Sequence, residues 1–90
     1  MKTTILMFRE HSEAYCNFVE DAKKYIHDRG KKFRMYATTF SFDVDGEKFV
    51  YSNITDGLNG LPEGEDVVVK PMFDMDDEEW LMISRKWIIK

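Results

Sequence analysis

The sequence contains few of the residues from which metal centres and catalytic sites are usually built. It has a single cysteine, Cys16, and two histidines, His11 and His27, among its 90 residues. One cysteine excludes an intramolecular disulfide, which favours a reducing compartment, and no Cys/His spacing typical of a metal site is present. On a helix, Cys16 and His27 would lie roughly 16 Å apart at 1.5 Å per residue, too far to share a proton. The sequence therefore predicts no catalytic residue, no metal and no cofactor, and an ordinary exposed thiol at Cys16.

Long hydrophobic runs are also absent. The longest one near the start, Ile5-Leu6-Met7-Phe8, has four residues, which is too short for the core of a signal peptide or for a membrane span. The chain has the length of one small domain, and its aromatic content of 14% is higher than a disordered chain would carry. We expect a single folded domain over residues 1–90, located in the cytoplasm and without a membrane segment.

The clearest structural signal is a β-hairpin around Asp45-Gly46. Asp-Gly between two alternating runs is typical of a two-residue type I′ turn, in which both central residues have positive φ. This turn would pair Asp43 with Lys48 as an ion pair and would continue as far as a Thr39–Ser52 pair. A shift by one residue would turn every aromatic side chain to the other face, so the register is strongly specified. The predicted aromatic face consists of Phe40, Phe42, Phe49 and Tyr51.

One helix is expected from Ser12 to about Arg29. Ser12 suits the N-cap, Glu13 the first turn, and Gly30 the C′ position after the last turn. A stripe of apolar residues at helical spacing predicts the side that packs on a sheet. Its members are Ala14, Tyr15, Phe18, Val19, Ala22, Tyr25 and Ile26.

Three further stretches have the composition of strands. Residues 3–8 include a short apolar run without alternation, which indicates a central strand covered on both faces. Residues 31–44 are long for one strand, and their apolar face switches near residues 37–39. A bulge, or burial of that end on both faces, would explain the switch. Residues 67–75 are typical of a strand that Pro71 restricts to an edge of the sheet.

Two stretches allow alternative interpretations. Residues 54–66 contain three glycines and a proline and predict a long loop, which is either functional or a plain connection pinned by Leu58 and Leu61. Residues 76–90 begin with acidic and end with basic residues, as in a helix with a favourable dipole. Their apolar residues, however, are scattered round a helical wheel and are rich in strand formers. We favour a strand paired with residues 67–75, with a helix as the alternative.

These elements together predict an α+β fold. One N-terminal helix would pack on a mostly antiparallel sheet of four or five strands, in the order β-α-β-β-β-β, with the last segment a strand or a helix. A single helix covers only one face of the sheet, which would leave Phe33, Met35 and Val50 on the other. We expect that face to support self-association, most simply as a two-fold dimer.

The charges are distributed unevenly along the chain. Residues 1–36 hold eight basic and five acidic side chains, a net charge of +3, whereas residues 37–90 hold five and twelve, a net charge of −7. Basic side chains beside aromatic residues on a strand can hold phosphates and stack a base, which makes RNA or single-stranded nucleic acid one possible partner. A solvated helix end or a patch for an acidic protein would use the same residues. The candidate residues are Lys23, Lys24, Arg29, Lys31, Lys32, Arg34 and Tyr36.

The function that the sequence favours is non-enzymatic binding. We expect a small inhibitor or regulator of a larger protein, with an acidic patch that engages a basic surface of this partner. In its brevity, its aromatic and methionine content and its lack of an active site, the chain is similar to small proteins encoded by phages, a similarity that implies no residue roles. The residues of the predicted acidic patch are Asp74, Asp76, Asp77, Glu78 and Glu79.

Overall fold

The fold consists of a six-stranded mixed sheet with one helix on each face. The structure is a computed structural model that describes residues 2–28, 30–56, 58 and 60–90, and all counts refer to these residues. The strands run in the order β2-β3-β4-β1-β5-β6 across the sheet, and the predicted α+β fold is confirmed. The elements are β1 (Lys2–Phe8), α1 (His11–Ile26), β2 (Phe33–Tyr36), a 3₁₀ turn (Ala37–Thr39), β3 (Ser41–Val44), β4 (Glu47–Asn53), β5 (Val67–Pro71), α2 (Asp77–Ser84) and β6 (Ile88–Ile89).

The strand directions differ from the predicted, mostly antiparallel arrangement. β1 lies inside the sheet and is parallel to both β4 and β5, and β5 is parallel to β6. Only the pairings β2–β3 and β3–β4 are antiparallel. The connection after β4 carries the chain past β1, so that β5 forms on the far side of β1 instead of continuing the β2–β4 meander. The prediction of residues 3–8 as a central strand is confirmed, since Ile5 and Met7 contribute to one core and Leu6 and Phe8 to the other.

The hairpin between β3 and β4 has the predicted register around its turn. Asp45 and Gly46 have φ values of 48° and 87°, as a type I′ turn requires. The pairs from Val44–Glu47 to Ser41–Val50 are those predicted. The ladder ends earlier than predicted, because Phe40 adopts a left-handed conformation with φ 48°. The N–H of Tyr51 still donates to the carbonyl of Phe40 at 2.8 Å, and Phe40 remains on the aromatic face.

Residues 31–44 form two strands where one was predicted. The chain turns back at residues 37–39, so that Met35 on β2 lies opposite Phe42 on β3. Neither a bulge nor burial on both faces causes the change of apolar parity. The turn itself changes which residues of the chain point to each face of the sheet. It brings Phe33 and Met35 to the same face as Phe42.

Helix α1 covers the aromatic face with the predicted stripe. Ala14, Phe18 and Ala22 are buried, in one core with aromatic residues of β1, β3 and β4. The predicted helix ends are wrong by a few residues. Glu10 is the N-cap residue and makes no side-chain capping bond, so Ser12 lies within the first turn. The helix ends at Ile26, and the predicted end at Arg29 lies outside the described residues.

The chain after α1 turns without the predicted glycine cap. Gly30 was expected at the C′ position, yet the helix ends at Ile26 with His27 as the C-cap residue, so Gly30 lies beyond that position. Its N–H instead donates to a carboxylate oxygen of Asp28 at 3.1 Å. The Asp28 side chain therefore stabilises the chain just beyond α1.

The opposite face of the sheet carries a second core beneath α2. The prediction of a strand over residues 76–90 was wrong for residues 77–84, which form a helix, and only Ile88–Ile89 pair with β5. A capping box starts this helix: Glu79 N–H donates to Asp76 Oδ1 at 2.8 Å and Asp76 N–H to Glu79 Oε1 at 3.0 Å. β5 ends at Pro71, and it lies between β1 and β6 and not at the predicted edge. The buried members of this core are Ile5, Met7, Val50, Val67, Val69, Ile83 and Trp87.

The long loop after β4 is anchored to this second core. Leu58 and Leu61 pack against it, and the indole N–H of Trp87 donates to the carbonyl of Pro62 at 2.7 Å. These contacts favour the interpretation of residues 54–66 as a pinned connection. Gly57 and Asn59 of this loop lie outside the described residues.

Replacement of Phe42 by alanine is expected to destabilise the fold most strongly. Phe42 is fully buried, so Phe42→Ala should reduce the free energy of unfolding by about 3–5 kcal/mol. Phe49→Ala should cost less, because Phe49 is only partly buried. Urea denaturation followed by tryptophan fluorescence measures both. A Phe42→Ala protein as stable as the parent would contradict the packing described for this face.

The capping box of α2 gives a second prediction. Asp76→Ala should reduce the free energy of unfolding by about 1 kcal/mol, because it removes the side-chain acceptor for the Glu79 N–H. Asp77→Ala is the matched control, since it removes the same charge from the first turn and no capping bond. Equal losses in the two variants, measured by thermal denaturation, would show that charge alone matters at this helix end.

Candidate functional site

The predicted basic cluster is divided between the two faces of the sheet. Lys23 and Lys24 lie on α1, and Lys31 and Lys32 lie in the connection before β2. Phe33 and Met35 of β2 face α1. Arg34 and Tyr36 alternate with them along the strand, so the side chains of Arg34 and Tyr36 lie on the other side of the sheet. Arg29 lies outside the described residues. The structure thus brings Arg34 and Tyr36 together and separates them from the lysines of α1.

Tyr36 is the centre of a small cationic and aromatic site on that open side. The Arg34 guanidinium carbon is 5.7 Å and the Lys48 ammonium 5.4 Å from the centroid of the Tyr36 ring. The Tyr36 hydroxyl donates to Asp43 Oδ2 at 3.2 Å. We refer to Arg34, Tyr36, Asp43 and Lys48 as the Tyr36 site.

Lys48 was not among the predicted binding residues, and the predicted hairpin register related it only to Asp43. That register places Lys48 opposite Asp43, which is confirmed; β2, which carries Tyr36, lies on the other side of β3. The predicted ion pair is not among the salt bridges between described residues. Lys48 lies over Tyr36 instead, and Asp43 Oδ1 is buried without a hydrogen-bond partner among those residues. The site offers two cations beside an aromatic ring.

The predicted acidic patch lies at the start of α2, and part of it has a structural role. Asp76 and Glu79 form the capping box. Arg9 Nη1 lies 4.0 Å from Glu79 Oε2. The Arg9 guanidinium also stacks over the Phe73 ring and donates to the main-chain carbonyl of Asp74. Among the described contacts, no hydrogen bond or salt bridge engages three other carboxylates of the patch. These are Asp74, Asp77 and Glu78.

A group of exposed apolar side chains on α2 was not predicted. Trp80, Leu81 and Met82 are 43%, 59% and 43% exposed, while Ile83 is the buried residue of this helix. Leu81 and Met82 line a shallow depression of about 390 Å³. In the sequence, the apolar residues of this segment are scattered round a helical wheel. This scatter favoured the prediction of a strand, whereas in the helix it leaves apolar side chains exposed. We refer to these residues, with those that border the depression, as the α2 surface: Glu78, Trp80, Leu81, Met82, Arg85 and Lys86.

A second apolar surface lies between α1 and the edge strand β2. Tyr15 and Ile26, which belong to the predicted packing stripe, are 50% and 53% exposed, and Met35 on β2 is 45% exposed. They border a groove of about 300 Å³. We call it the α1–β2 groove, and its lining residues are Tyr15, Phe18, Val19, Ala22, Lys23, Ile26, Met35, Ala37 and Phe40.

The most perturbed titratable side chain has a structural position. Burial raises the pKa of Tyr51, and its hydrogen bond to the Asp21 carboxylate raises it further. Tyr51 therefore stays protonated, and its hydrogen bond connects β4 to α1. On α1, Lys24 Nζ lies 3.5 Å from Asp21 Oδ1. Cys16 is exposed, as predicted. No group of three or more His, Cys, Asp and Glu side chains within reach of one metal ion occurs in the part of the chain that the structure describes.

Comparisons with known proteins do not assign these surfaces. No family model, curated protein or solved structure matches the chain. Of the helices in the described ranges, neither combines the length and the hydropathy needed to cross a membrane. The function therefore rests on the three surfaces themselves.

Proposed function

We propose that this chain is a small, non-enzymatic binding protein that inhibits or regulates a larger protein in the cytoplasm. The observation that carries the proposal is the α2 surface. A soluble domain rarely leaves several large apolar side chains of one short helix exposed unless they contact a partner. Trp80, Leu81 and Met82 are exposed in this way while Ile83 anchors the helix from below. The exposed single thiol of Cys16 suits a reducing compartment.

The arrangement of charges supports the same proposal. Asp77 and Glu78 lie at one end of α2, Arg85 and Lys86 lie just beyond the other, and the apolar residues lie between them. An apolar centre with a charged rim is the usual composition of a protein–protein interface. Since Leu81 is 59% and Met82 43% exposed, burial of their remaining surface would contribute roughly 1 kcal/mol each. The carboxylate of Asp74 nearby adds to the acidic end, which favours a basic region on the partner and speeds association.

Substitution of the α2 surface should abolish partner binding and leave the fold intact. Leu81→Gln/Met82→Gln retains helix propensity and removes the apolar centre. Ile88→Gln is the matched control, because Ile88 is 56% exposed and lies on the opposite face of the sheet. Affinity capture from a host lysate should retain one protein on the parent and on Ile88→Gln and lose it on the double variant.

The regulatory role requires a functional measurement on the captured protein. Addition of the parent protein should change the activity of the purified partner in proportion to its occupancy, and the double variant should have at least about a tenfold weaker effect. Capture of the same protein by the parent and by the double variant would show that the α2 surface is not the interface. Turnover of a small molecule by the protein alone would overturn the non-enzymatic assignment.

The Tyr36 site favours a second candidate function, the binding of RNA or single-stranded nucleic acid. Such binding combines cations for phosphates with aromatic rings on which bases stack. Arg34 and Lys48 both lie next to the Tyr36 ring. The net charge of −4 opposes this function at long range, so the contacts would have to be local.

A salt titration distinguishes this candidate from the first. Arg34→Glu/Lys48→Glu should weaken the binding of a short single-stranded RNA by at least about tenfold and should lower the salt slope by about 0.7 for each lost phosphate contact. Lys23→Glu/Lys24→Glu is the matched control, since it changes the charge equally on the other face of the sheet. Fluorescence anisotropy at two salt concentrations measures both effects. No micromolar binding by the parent at about 50 mM salt would exclude the candidate.

A further inference from the structure

We propose that the α1–β2 groove and the outer edge of β2 together bind an extended peptide of alternating apolar and acidic residues, which joins the sheet as an additional strand. This site goes beyond the proposed function, because it lies at the opposite edge and on the opposite face of the sheet from the α2 surface. Three independent features of the structure lead to it: the backbone of β2, the apolar groove and the local charge.

The backbone of β2 presents hydrogen-bonding groups at the edge of the sheet. Within the described residues only β3 pairs with β2. The Asp45 N–H donates to the carbonyl of Lys32 at 3.0 Å, so the backbone groups of Lys32 point toward β3. Because these groups alternate along an antiparallel strand, those of Arg34 and Tyr36 also point inward, and the N–H and C=O groups of Phe33 and Met35 point outward. An added strand would bond to these two residues.

The groove gives the side chains of such a strand a place to pack. An added strand lies about 4.8 Å from β2, and alternate side chains point to the same face. Half of them would therefore lie beside Met35, on the side of α1, where Tyr15 and Ile26 are exposed. Main-chain bonds with pockets for alternate side chains are the established mode of peptide recognition at sheet edges. Apolar residues at every second position of the peptide match this groove.

The charge around the edge selects acidic residues for the remaining positions. These positions point away from α1, to the side of the sheet on which Arg34 lies, and Lys32 of the same parity comes just before β2. Neither Lys32 nor Arg34 forms a salt bridge with a described acidic residue. Carboxylates of a peptide would compensate them.

The same cations disfavour a second copy of this chain as the occupant. Two β2 strands paired edge to edge would bring their basic residues together, and like charges on paired strands are destabilising. Lysines at a sheet edge do protect it against self-pairing. Such protection does not require an apolar groove next to the edge, whereas a peptide site does.

The probe is a labelled, end-blocked peptide of about ten residues, within the usual range of strand lengths, in which valine and glutamate alternate. Fluorescence anisotropy with the parent protein should show saturable binding. A peptide with lysine in place of glutamate should bind at least about tenfold more weakly. Ile26→Gln/Met35→Gln, whose side chains are exposed in the parent, should also weaken binding by about tenfold or more. Leu81→Gln/Met82→Gln is the control and should bind as the parent does.

N-methylation of the peptide tests strand addition directly. If the peptide runs antiparallel to β2, the valine N–H groups face β2, and if it runs parallel, the glutamate N–H groups face it. One of two peptides, methylated on all valines or on all glutamates, should therefore lose about tenfold in affinity, as expected for about two lost hydrogen bonds, while the other binds normally.

Four results would overturn the inference. They are no saturable binding up to about 1 mM peptide, the same response to both methylation patterns, parent-like binding by folded Ile26→Gln/Met35→Gln, or a dimer in sedimentation that this variant abolishes. The last result would assign the groove to a second copy. If the peptide does not bind but the partner is captured, the proposed function is supported and the peptide site is not. If the peptide binds but no partner is captured, the peptide site is supported and the proposed function is not.

Discussion

The packing of one ring, that of Phe42, holds the N-terminal helix to the sheet. The ring is fully buried and lies 5.4–6.0 Å from the ring centroids of five others. Because these neighbours come from α1, β2 and β4, they meet only when the sheet and the helix are both in place. Burial of this aromatic surface is the main favourable term for a domain of this size. The neighbouring rings belong to Phe18, Tyr25, Phe33, Phe49 and Tyr51.

The position of each apolar surface follows from how the two helices share the sheet. α1 covers β1 through β4 on one face, and α2 contributes Ile83 to the core on the other. A helix of two turns cannot bury apolar residues on all its sides, so Leu81 and Met82 remain exposed. A helix laid over the middle of a sheet leaves a furrow along the edge strand, and this furrow is the α1–β2 groove. The two apolar surfaces share no residue, and occupation of one leaves the other accessible.

Charge gives these apolar surfaces different chemistry. Carboxylates lie near α2, whereas cations lie beside β2, and the Tyr36 site lies on a third, more polar surface. Part of each predicted charge cluster is used by the fold itself: Asp76 and Glu79 cap α2, and Lys24 lies next to Asp21. The residues available for binding are therefore fewer than the sequence suggested, and they are divided among separate faces.

The sequence by itself determined those features that depend on a few neighbouring residues. The Asp45-Gly46 turn requires positive φ twice, which specifies the register from Ser41 to Val50, and helical spacing identified Ala14, Phe18 and Ala22 as the packed side of α1. Only the tertiary structure decided the direction of β5, the helix over Asp77–Ser84 and the position of Lys48 over Tyr36. The direction of a strand depends on pairing across long stretches of chain, and an isolated helix of eight residues is unstable without tertiary burial. The side-chain contacts of a surface form only where distant strands meet, and local sequence contains no information about which strands those are.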